Sequence, residues 1–388
     1  MIINETIVDG LTGTDPPQLQ QPQTPYLILD TNIAANRFQR LKKAFRDTQI
    51  FYAVKANPEP RLIRRLAENG SSFDVASPAE IDLCLSEGVS AERLSYGNTI
   101  KKAKDIRYAH QRGVRLFVFD SEAELQKLAE NAPGAEVFCR LLASSAGAQW
   151  PLSRKFGCAP EMAAALLVKA RDLGLNPVGV SFHVGSQQLD PSRWEPSIAA
   201  AAEVFRDVAA QGIELTLLNC GGGFPVRYDE PVAPIEAFAT AISRSMRRHF
   251  EGGGPQLAIE PGRYVAADAG VLRAEVVLVS HKSLQDEVRW VYLDIGRFGG
   301  LAETEGEAIR YRIVTAYDGE PTGPVRIAGP TCDSVDILYQ STPYRLPLSL
   351  KPGDHVEILG TGAYTTTYSS VGFNGFAPLA TLCIGDNA

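Results

Sequence analysis

The sequence predicts an α/β chain in two parts: a (β/α)8 TIM barrel and a second, all-β domain of the sandwich or barrel kind. Short apolar runs alternate with helix-like stretches from Tyr26 to Glu260, and strand-like runs continue without helices after about residue 270. Strands that alternate with helices are typical of a parallel sheet, and eight such units fit a barrel. A doubly wound open sheet is the alternative.

The strand candidates of the first part are short apolar segments with helical patterns between them. Leu62, Ile63 and Leu66 form the apolar face of one such pattern, and Ser77 and Ser121 stand where helix N-caps are expected. The first strand candidate is YLILD at residue 26, and eight others follow it: FYAVKA at 51, SFDV at 72, LSY at 94, LFVF at 116, EVFCRL at 136, VGVSFH at 178, LTLLN at 215 and LAIE at 257.

The second part reads as strands separated by turn signals such as KPGD at residue 351. Its strand candidates are AEVVLVSH, VRWVYLDIG, PVRIAGP, DHVEILGTG and TLCIG. We expect residues 1–25 to form a polar, Pro-rich arm, residues 26–270 the barrel and residues 271–388 the β domain. The sequence of the strand at residue 26 fits either the barrel or the β domain.

Composition excludes several classes of protein. The chain has 45 acidic and 38 basic residues with no basic stripe, which argues against nucleic acid as a partner. It has no apolar run near the roughly 18 residues of a membrane helix, and its first ten residues lack a secretory pattern. Six cysteines form no CxxC pair and five histidines are scattered, so we expect no metal site and a reducing, cytoplasmic setting.

Polar residues stand at the carboxyl ends of most predicted barrel strands. In a barrel these ends converge on one mouth, where active sites are built. The residues at or just after strand ends are Lys55, Asp74, Arg140, His183, Gly221, Gly222, Gly223, Glu260 and Arg263.

Lys55 and the EPGR motif suggest chemistry on an aldehyde and a pyridine ring. A desolvated lysine has a lowered pKa and can form a Schiff base, whereas a strand-end lysine can also simply reach solvent. Glu260 would hold a pyridine nitrogen in its protonated form and Arg263 would meet a phosphate. The alternative for EPGR is an ordinary ion pair.

The remaining motifs each have a structural alternative. The glycines of GGGFP can cradle a phosphate or make a tight turn. His183 in SFHVGS can stack on a flat ring or fill the core, and Ser186 can donate to phosphate. Cys332 and Asp333 in GPTCDSVD read as a loop cysteine beside a turn aspartate.

Together these motifs resemble the group IV decarboxylases that use pyridoxal 5'-phosphate (PLP), which include the ornithine, lysine and diaminopimelate decarboxylases of the alanine racemase-like barrel fold. YAVKAN, HVGS, GGGFP, EPGR, GPTCDSVD, and GAY followed by FNGF occur in that family's order between residues 52 and 376. The closest likeness is to the bacterial ornithine or lysine/ornithine branch. The resemblance implies a barrel, a β domain and a PLP cofactor.

The resemblance also implies roles for individual residues. Lys55 would carry PLP, His183 would stack on its ring and Glu260 would pair with its nitrogen. Cys332 would return a proton to the substrate, Asp333 would meet its distal amine, and the Cys332 loop would enter the site of a partner in a homodimer. The residues around the phosphate would be Ser186, Gly221, Gly222, Gly223, Gly262, Arg263 and Tyr364, with Asp74, Glu80 and Arg140 in support.

Substrate choice depends on the second domain. The acidic run Glu303, Glu305 and Glu307 favours a cationic side-chain end, so L-ornithine is the expected substrate, and L-lysine and diaminopimelate are alternatives. Phe298 and Tyr364 are further expected pocket residues. An amino-acid racemase is the rival enzyme, but Glu260 stands where racemases favour arginine. A non-enzymatic binder of this fold is the second rival, and it would have lost Lys55 or Cys332.

Overall fold

A computed structural model describes residues 22–151, 154–250 and 254–385. Strands and helices are numbered along these described residues. The strands are β1 Tyr26–Asp30, β2 Gln49–Ala53, β3 Ser72–Val75, β4 Leu94–Tyr96, β5 Leu116–Phe119, β6 Glu136–Arg140, β7 Ala148–Trp150, β8 Asn176–Ser181, β9 Ser186–Gln188, β10 Leu217–Asn219, β11 Gln256–Ile259, β12 Gly270–Ser280, β13 Arg289–Leu293, β14 Arg312–Thr315, β15 Thr322–Ala328, β16 Tyr344–Pro347, β17 His355–Leu359 and β18 Ala380–Ile384.

The helices fall mainly between the strands of the first part. The α-helices are α1 Thr31–Ala44, α2 Pro60–Glu68, α3 Pro78–Ser86, α4 Ala103–Gln111, α5 Glu122–Asn131, α6 Pro160–Asp172, α7 Glu195–Ala209, α8 Ile235–His249 and α9 Arg263–Ala266. Short 3-10 turns occur at Val54–Ala56, Ala91–Arg93, Pro191–Trp194, Ala267–Ala269, Ala302–Glu307 and Phe373–Gly375. Within the described segments, no helix is both long and apolar enough to cross a membrane.

The predicted barrel is confirmed. Strands β2, β3, β4, β5, β6, β8, β10 and β11 are all parallel and close into a barrel in chain order, which excludes the open sheet. A buried cluster inside it unites residues from five of these strands: Phe51, Val118, Phe138, Leu217 and Ala258. All eight predicted barrel strands form.

Local chemistry explains where two of the barrel helices begin. Ser77 Oγ accepts a hydrogen bond from Glu80 N–H at 3.3 Å, and Ser121 Oγ accepts one from Glu124 N–H at 3.4 Å. These bonds satisfy amide groups that a helix leaves unpaired at its start. Both predicted N-caps are therefore confirmed, and the cap on α3 also positions Glu80 just after β3.

The second part is the predicted all-β domain. Its eight strands form a mixed sheet that nearly closes into a barrel, with β14, β17, β12, β13, β15 and β16 in that order. Strand β1 belongs to it, because Leu27 pairs antiparallel with Leu272 on β12 and parallel with Thr381 on β18. Strands β14 and β16 were not predicted from the sequence, and neither was the small antiparallel ladder of β7 and β9.

The described chain separates into two compact units. The barrel unit contains residues 34–225 and 232–265, and the β unit contains residues 22–33, 226–231 and 266–385. The arm expected for residues 1–25 lies outside the described residues except for its last four positions. Residues 1–10, which lack a secretory pattern in the sequence, also lie outside the described residues.

Candidate active site

Lys55 and Asp74 come together at the carboxyl ends of two adjacent strands. Lys55 lies in the 3-10 turn that follows β2, and its Nζ is 3.7 Å from Asp74 Oδ2. The lysine side chain is 55% exposed and the aspartate 6%. Burial raises the pKa of Asp74, while the positive charges of Lys55 and Arg140 oppose that rise. Among the described residues, Asp74 Oδ1 has no hydrogen-bond partner.

Glu260 follows β11 and is held by an amide whose orientation is fixed. Asn219 Nδ2 donates to Glu260 Oε1 at 2.6 Å, and Asn219 Oδ1 accepts from Gly221 N–H at 2.9 Å. Burial raises the pKa of Glu260 to about 7, with a further contribution from the negative charge of Asp74. Sequence reasoning missed Asn219, although its position as the last residue of β10 marks it as a mouth residue.

His183 is a neutral ring. Gly185 N–H donates to its Nδ1 at 3.0 Å, so the ring proton belongs on Nε2. Burial lowers the pKa of His183 well below its ordinary value, and the positive charges of Arg140 and Lys55 add to this effect. A flat, uncharged imidazole in the barrel mouth is suited to stacking on an aromatic ring.

The glycine run of GGGFP lets the backbone pass close to two other strand ends. Gly221 and Gly223 have φ values of +65° and +104°, and a Cβ on them would lie 2.2 Å and 2.3 Å from backbone oxygens. A Cβ on Gly222 would lie 3.1 Å from His183 Nε2 and 2.5 Å from the backbone oxygen of Glu260. Only glycine fits this crossing, which brings the backbone of Gly222 between the histidine and the glutamate.

Arg263 and Ser186 are joined by hydrogen bonds at the start of α9. Arg263 is 3% exposed at the start of α9, and both its Nε and Nη2 donate to Ser186 Oγ at 3.2 Å. Gly262 directly precedes this helix, and its carbonyl accepts a hydrogen bond from Val265 N–H at 3.1 Å. A buried guanidinium is suited to phosphate, which it can bind in a bidentate manner.

Two further predicted residues support the mouth. The Arg140 guanidinium lies 5.3 Å from the centre of the Phe156 ring. Glu80 Oε2 accepts from Ala76 N–H at 2.6 Å, and burial raises the pKa of Glu80 to about 7. Electrostatic interactions join Lys55, Asp74, Glu80, Arg140 and Glu260 into one group of charged residues.

In the β unit, Cys332 and Asp333 lie on an exposed loop between β15 and β16. Cys332 N–H donates to Asn374 Oδ1 at 3.2 Å, and Asp333 Oδ1 accepts from Val335 N–H at 3.0 Å. The Cys332 thiol and the Asp333 carboxylate are thus presented on a loop that is fixed at its backbone.

Asp336 is a buried residue whose carboxylate fixes this loop by hydrogen bonds. Sequence reasoning assigned it no role. It is 2% exposed, and its carboxylate accepts from Arg297 N–H at 2.8 Å, Thr331 N–H at 3.2 Å and Thr331 Oγ1 at 2.7 Å. Gly296 and Gly329 make room for it, since a Cβ on either would lie within 2.3 Å of its oxygens. Asp336 thus joins the Cys332 loop to the segment that carries Phe298.

The expected substrate residues of the β unit are dispersed. Phe298 packs on Phe373 with ring centres 4.7 Å apart, at the edge of a cavity of about 340 Å³. Glu303 is 3% exposed, and Glu305 lies 3.9 Å from Arg297. Tyr364 is half-buried with a left-handed backbone at φ 60°.

Glu307 is engaged with backbone. Its carboxylate accepts from the N–H groups of Ser341 and Thr342. Partial burial raises the pKa of Glu307, but these donors outweigh burial and the pKa is lowered overall. The three glutamates therefore occupy three different environments.

The residues of the barrel mouth fit PLP. Arg263, Ser186 and the glycine run suit a phosphate, and neutral His183 suits a ring. Two buried carboxyls, Asp74 and Glu260, have raised pKa values because their burial is not fully offset by positive charge. A protonated pyridine nitrogen would supply such a charge.

Comparisons with known proteins agree with this geometry. Residues 32–267 match the pyridoxal-binding domain of the pyridoxal-dependent decarboxylases. The lysine/ornithine decarboxylase of Selenomonas ruminantium is 34% identical over 94% of this chain and 90% of its own length. Antizyme inhibitor 2 of Xenopus laevis is 32% identical over 90% of this chain and 79% of its own length.

Solved structures are similar over the whole chain. A lysine/ornithine decarboxylase from Vibrio vulnificus in complex with cadaverine is 31% identical, covers 100% of both chains and has a TM-score of 0.87. The structure of a Vibrio vulnificus lysine/ornithine decarboxylase with putrescine is 32% identical, covers 98% of both chains and has a TM-score of 0.84. This chain therefore belongs to the PLP-dependent decarboxylases that act on ornithine, lysine and related basic amino acids, and PLP is its cofactor.

Proposed function

We propose that this protein decarboxylates L-ornithine to putrescine and accepts L-lysine as a second substrate. The observation that carries the proposal is the barrel mouth, where Lys55 Nζ lies 3.7 Å from Asp74 and Glu260 is buried against Asn219. The choice of substrate is supported by the Vibrio vulnificus lysine/ornithine decarboxylase, which has been solved with putrescine and with cadaverine.

PLP supplies an aldehyde and a pyridine ring that accepts the electron pair left on the substrate when CO2 departs. Lys55 is the amine that would hold the aldehyde. Glu260 would keep a proton on the ring nitrogen, and its raised pKa means that a cationic partner is favourable there. Asn219 holds the Glu260 carboxylate in one orientation through its 2.6 Å hydrogen bond.

The remaining mouth residues orient the reactants. Arg263 and Ser186 would hold the phosphate, which fixes one end of the cofactor. His183 stays neutral, so it can lie against the ring without repelling a cationic nitrogen. Asp74 Oδ2 lies 3.7 Å from Lys55 Nζ and would orient this amine.

Cys332 is the proposed proton donor and Asp333 the proposed partner of the substrate's distal ammonium. Their exposed position supports both roles, because each side chain is available to a group approaching from outside its own loop. A site in which a carboxylate binds a charged amine discriminates strongly against substrates that lack this amine. Phe298 and Tyr364 are proposed to shape the pocket. Glu303, the most buried of the three glutamates at 303, 305 and 307, is proposed as a further acidic residue of the pocket.

We further propose a homodimer in which the Cys332 loop of one copy completes the barrel site of the other. Exposed apolar side chains beside this loop support an interface: Val335, Tyr368, Val371, Phe373 and Phe376. Mixing inactive Lys55→Ala and Cys332→Ala proteins tests it. Random exchange should restore about a quarter of the parent activity, since half of the dimers would have one intact site of two. No restored activity after exchange would exclude shared sites.

A CO2-release panel of L-ornithine, L-lysine, L-arginine and diaminopimelate tests the substrate. We expect the highest kcat/KM for ornithine, followed by lysine. A higher kcat/KM for arginine or diaminopimelate would contradict the assignment.

A non-enzymatic binder is the second candidate, since antizyme inhibitor 2 of Xenopus laevis is among the relatives. Retention of Lys55 and Cys332 argues for catalysis. A purified protein that has no visible absorbance from bound PLP and releases no CO2 from any member of the panel would favour the binder. We also propose a cytoplasmic location, which is consistent with six free cysteines.

A further inference from the structure

Two buried cysteines lie side by side behind the barrel strands, on the face of the sheet that is turned away from the barrel interior. Cys139 Sγ is 3.5 Å from Cys158 Sγ, and the residues are 0% and 5% exposed. Cys139 belongs to β6 and directly follows Phe138, which packs in the barrel interior. Because side chains alternate along a strand, Cys139 points away from that interior.

Backbone hydrogen bonds hold the pair together. Cys158 N–H donates to the carbonyl of Arg140 at 3.0 Å, and Leu142 N–H donates to the carbonyl of Cys158 at 2.9 Å. The segment with Cys158 is therefore attached to the end of β6 like a short added strand. These backbone bonds, and not the side chains themselves, bring the two sulfurs close together.

The two thiols are not equivalent. The two sulfurs share a hydrogen bond in which either can be the donor, and the Cys158 thiol also lies 3.6 Å from the carbonyl oxygen of Arg140, to which it can donate. The bond to Cys139 lowers the pKa of Cys158, while burial keeps the pKa of Cys139 well above its ordinary value. The thiolate is the reactive form of cysteine. Cys158 is thus suited to attack an oxidant first, and Cys139 to react second.

We propose that Cys139 and Cys158 form an oxidation site that a hydroperoxide closes to a reversible disulfide. Cys158 Sγ attacks the O–O bond of the hydroperoxide and becomes a sulfenic acid, and the leaving oxygen departs as an alcohol or as water. Cys139 Sγ then displaces the hydroxyl group as water. Two thiols lose two electrons and two protons, and one hydroperoxide is reduced.

Closure requires a movement of the Cys158 segment. The sulfurs must approach from 3.5 Å to about 2.05 Å. Gly157 has little freedom to absorb this movement, because a Cβ there would lie 2.7 Å from the backbone of Leu141 and its N–H donates to Asp120 Oδ2 at 2.8 Å. The displacement therefore acts on Arg140, whose carbonyl accepts from Cys158 N–H at 3.0 Å and whose guanidinium packs on Phe156.

Phe156 connects this site to the barrel mouth. Its ring lies against Arg140, whose charge lowers the pKa values of Asp74, His183 and Glu260. A shift of Arg140 relative to Phe156 changes the position of that charge. We expect the disulfide to reduce turnover roughly three- to tenfold, since small misplacements in a site have large effects on rate. This consequence rests on the proposed decarboxylation, whereas the disulfide itself does not.

The test treats the reduced holoenzyme with a few equivalents of hydrogen peroxide, blocks remaining thiols and maps the peptides by mass spectrometry. The expected result is a peptide pair joined through Cys139 and Cys158, 2 mass units lighter than the two reduced peptides, that dithiothreitol separates. Exposed Cys332 serves as an internal indicator of the oxidant dose. Oxidised Cys332 without a joined pair would overturn the proposal, whether or not the protein is a decarboxylase.

Activity is measured in parallel on the parent and on Cys139→Ala, Cys158→Ala and the double variant, all of which retain Cys332. Thermal melting identifies any variant that does not fold, and the two single variants are independent controls. Oxidation of Cys332 lowers turnover equally in the parent and the variants, so a dithiothreitol-reversible loss that is larger in the parent than in the variants at equal Cys332 oxidation supports the link to Arg140. An equal loss in parent and variants, with the joined pair formed, would overturn that link.

Discussion

Glu260 should make the stability of the cofactor-free barrel depend on pH in a direction opposite to that of an ordinary surface carboxylate. Burial raises its pKa from 4.5 to about 7, so the folded protein binds this proton more tightly than the unfolded chain does. Its contribution to stability is fully present below pH 4.5 and is lost as the pH rises through 7. The substitution that exposes this effect is Glu260→Gln.

The magnitude follows from the two pKa values. Between pH 5.5 and pH 8 the parent should lose about 2 kcal/mol that Glu260→Gln does not lose. For a unit of this size that difference is roughly 4–8 °C in Tm. The Tm of Glu260→Gln relative to the parent should therefore rise by this amount as the pH increases.

The assay is thermal unfolding of cofactor-free protein, prepared with hydroxylamine, across this pH range. Glu236→Gln is the control, because Glu236 is exposed and its hydrogen bond from Arg40 lowers its pKa. A carboxylate with a lowered pKa loses its contribution to stability only when the pH falls below its pKa in the unfolded chain. The curve of Tm against pH for Glu236→Gln should therefore run parallel to that of the parent between pH 5.5 and pH 8. With PLP bound, Glu260→Gln should instead lower Tm. Parallel curves for the parent and Glu260→Gln without cofactor would refute the reasoning.

Three other substitutions test the site. Lys55→Ala should abolish turnover and the visible absorbance of bound PLP, and a rate near that of the parent would remove Lys55 from its assigned role. Cys332→Ala should keep PLP absorbance but lower kcat by roughly 10²- to 10⁴-fold or change the product, the usual contribution of a general acid; unchanged rate and product would exclude it. Asp336→Ala should lower the free energy of unfolding by about 3–5 kcal/mol, since it leaves three donors unpaired, and it should also lower kcat. Thr331→Val should lower both quantities by less. Equal kcat for parent and Asp336→Ala would show that the Cys332 loop is positioned without this carboxylate.

The mouth residues were predictable because their positions follow from strand periodicity. Once eight strands alternate with helices, Lys55, Asp74 and Glu260 must lie at the same end of the barrel. Ser77 and Ser121 were predictable for a similar reason, since a cap depends on residues three positions apart.

The missed residues act over distances in sequence that no local pattern reveals. Asp336 accepts from Arg297 N–H, 39 positions away. Asn219 receives its role only because Glu260, 41 positions later, closes the barrel beside it. Strand β1 pairs with β18, more than three hundred residues later, and its apolar sequence alone fits either domain. The regular spacing of Glu303, Glu305 and Glu307 suggested that one or more of them face the pocket, but it could not show which. The 3-10 turn Ala302–Glu307 is kinked at Glu305 and Gly306, a change of backbone direction that the spacing does not reveal.

The central claim is that Lys55 is the amine that holds PLP in the barrel mouth. Reduction of the holoenzyme with borohydride, followed by digestion and mass spectrometry, identifies the lysine to which the cofactor is attached. We predict a single phosphopyridoxyl group on the peptide that contains Lys55. Attachment to a different lysine, such as buried Lys101, would contradict the account.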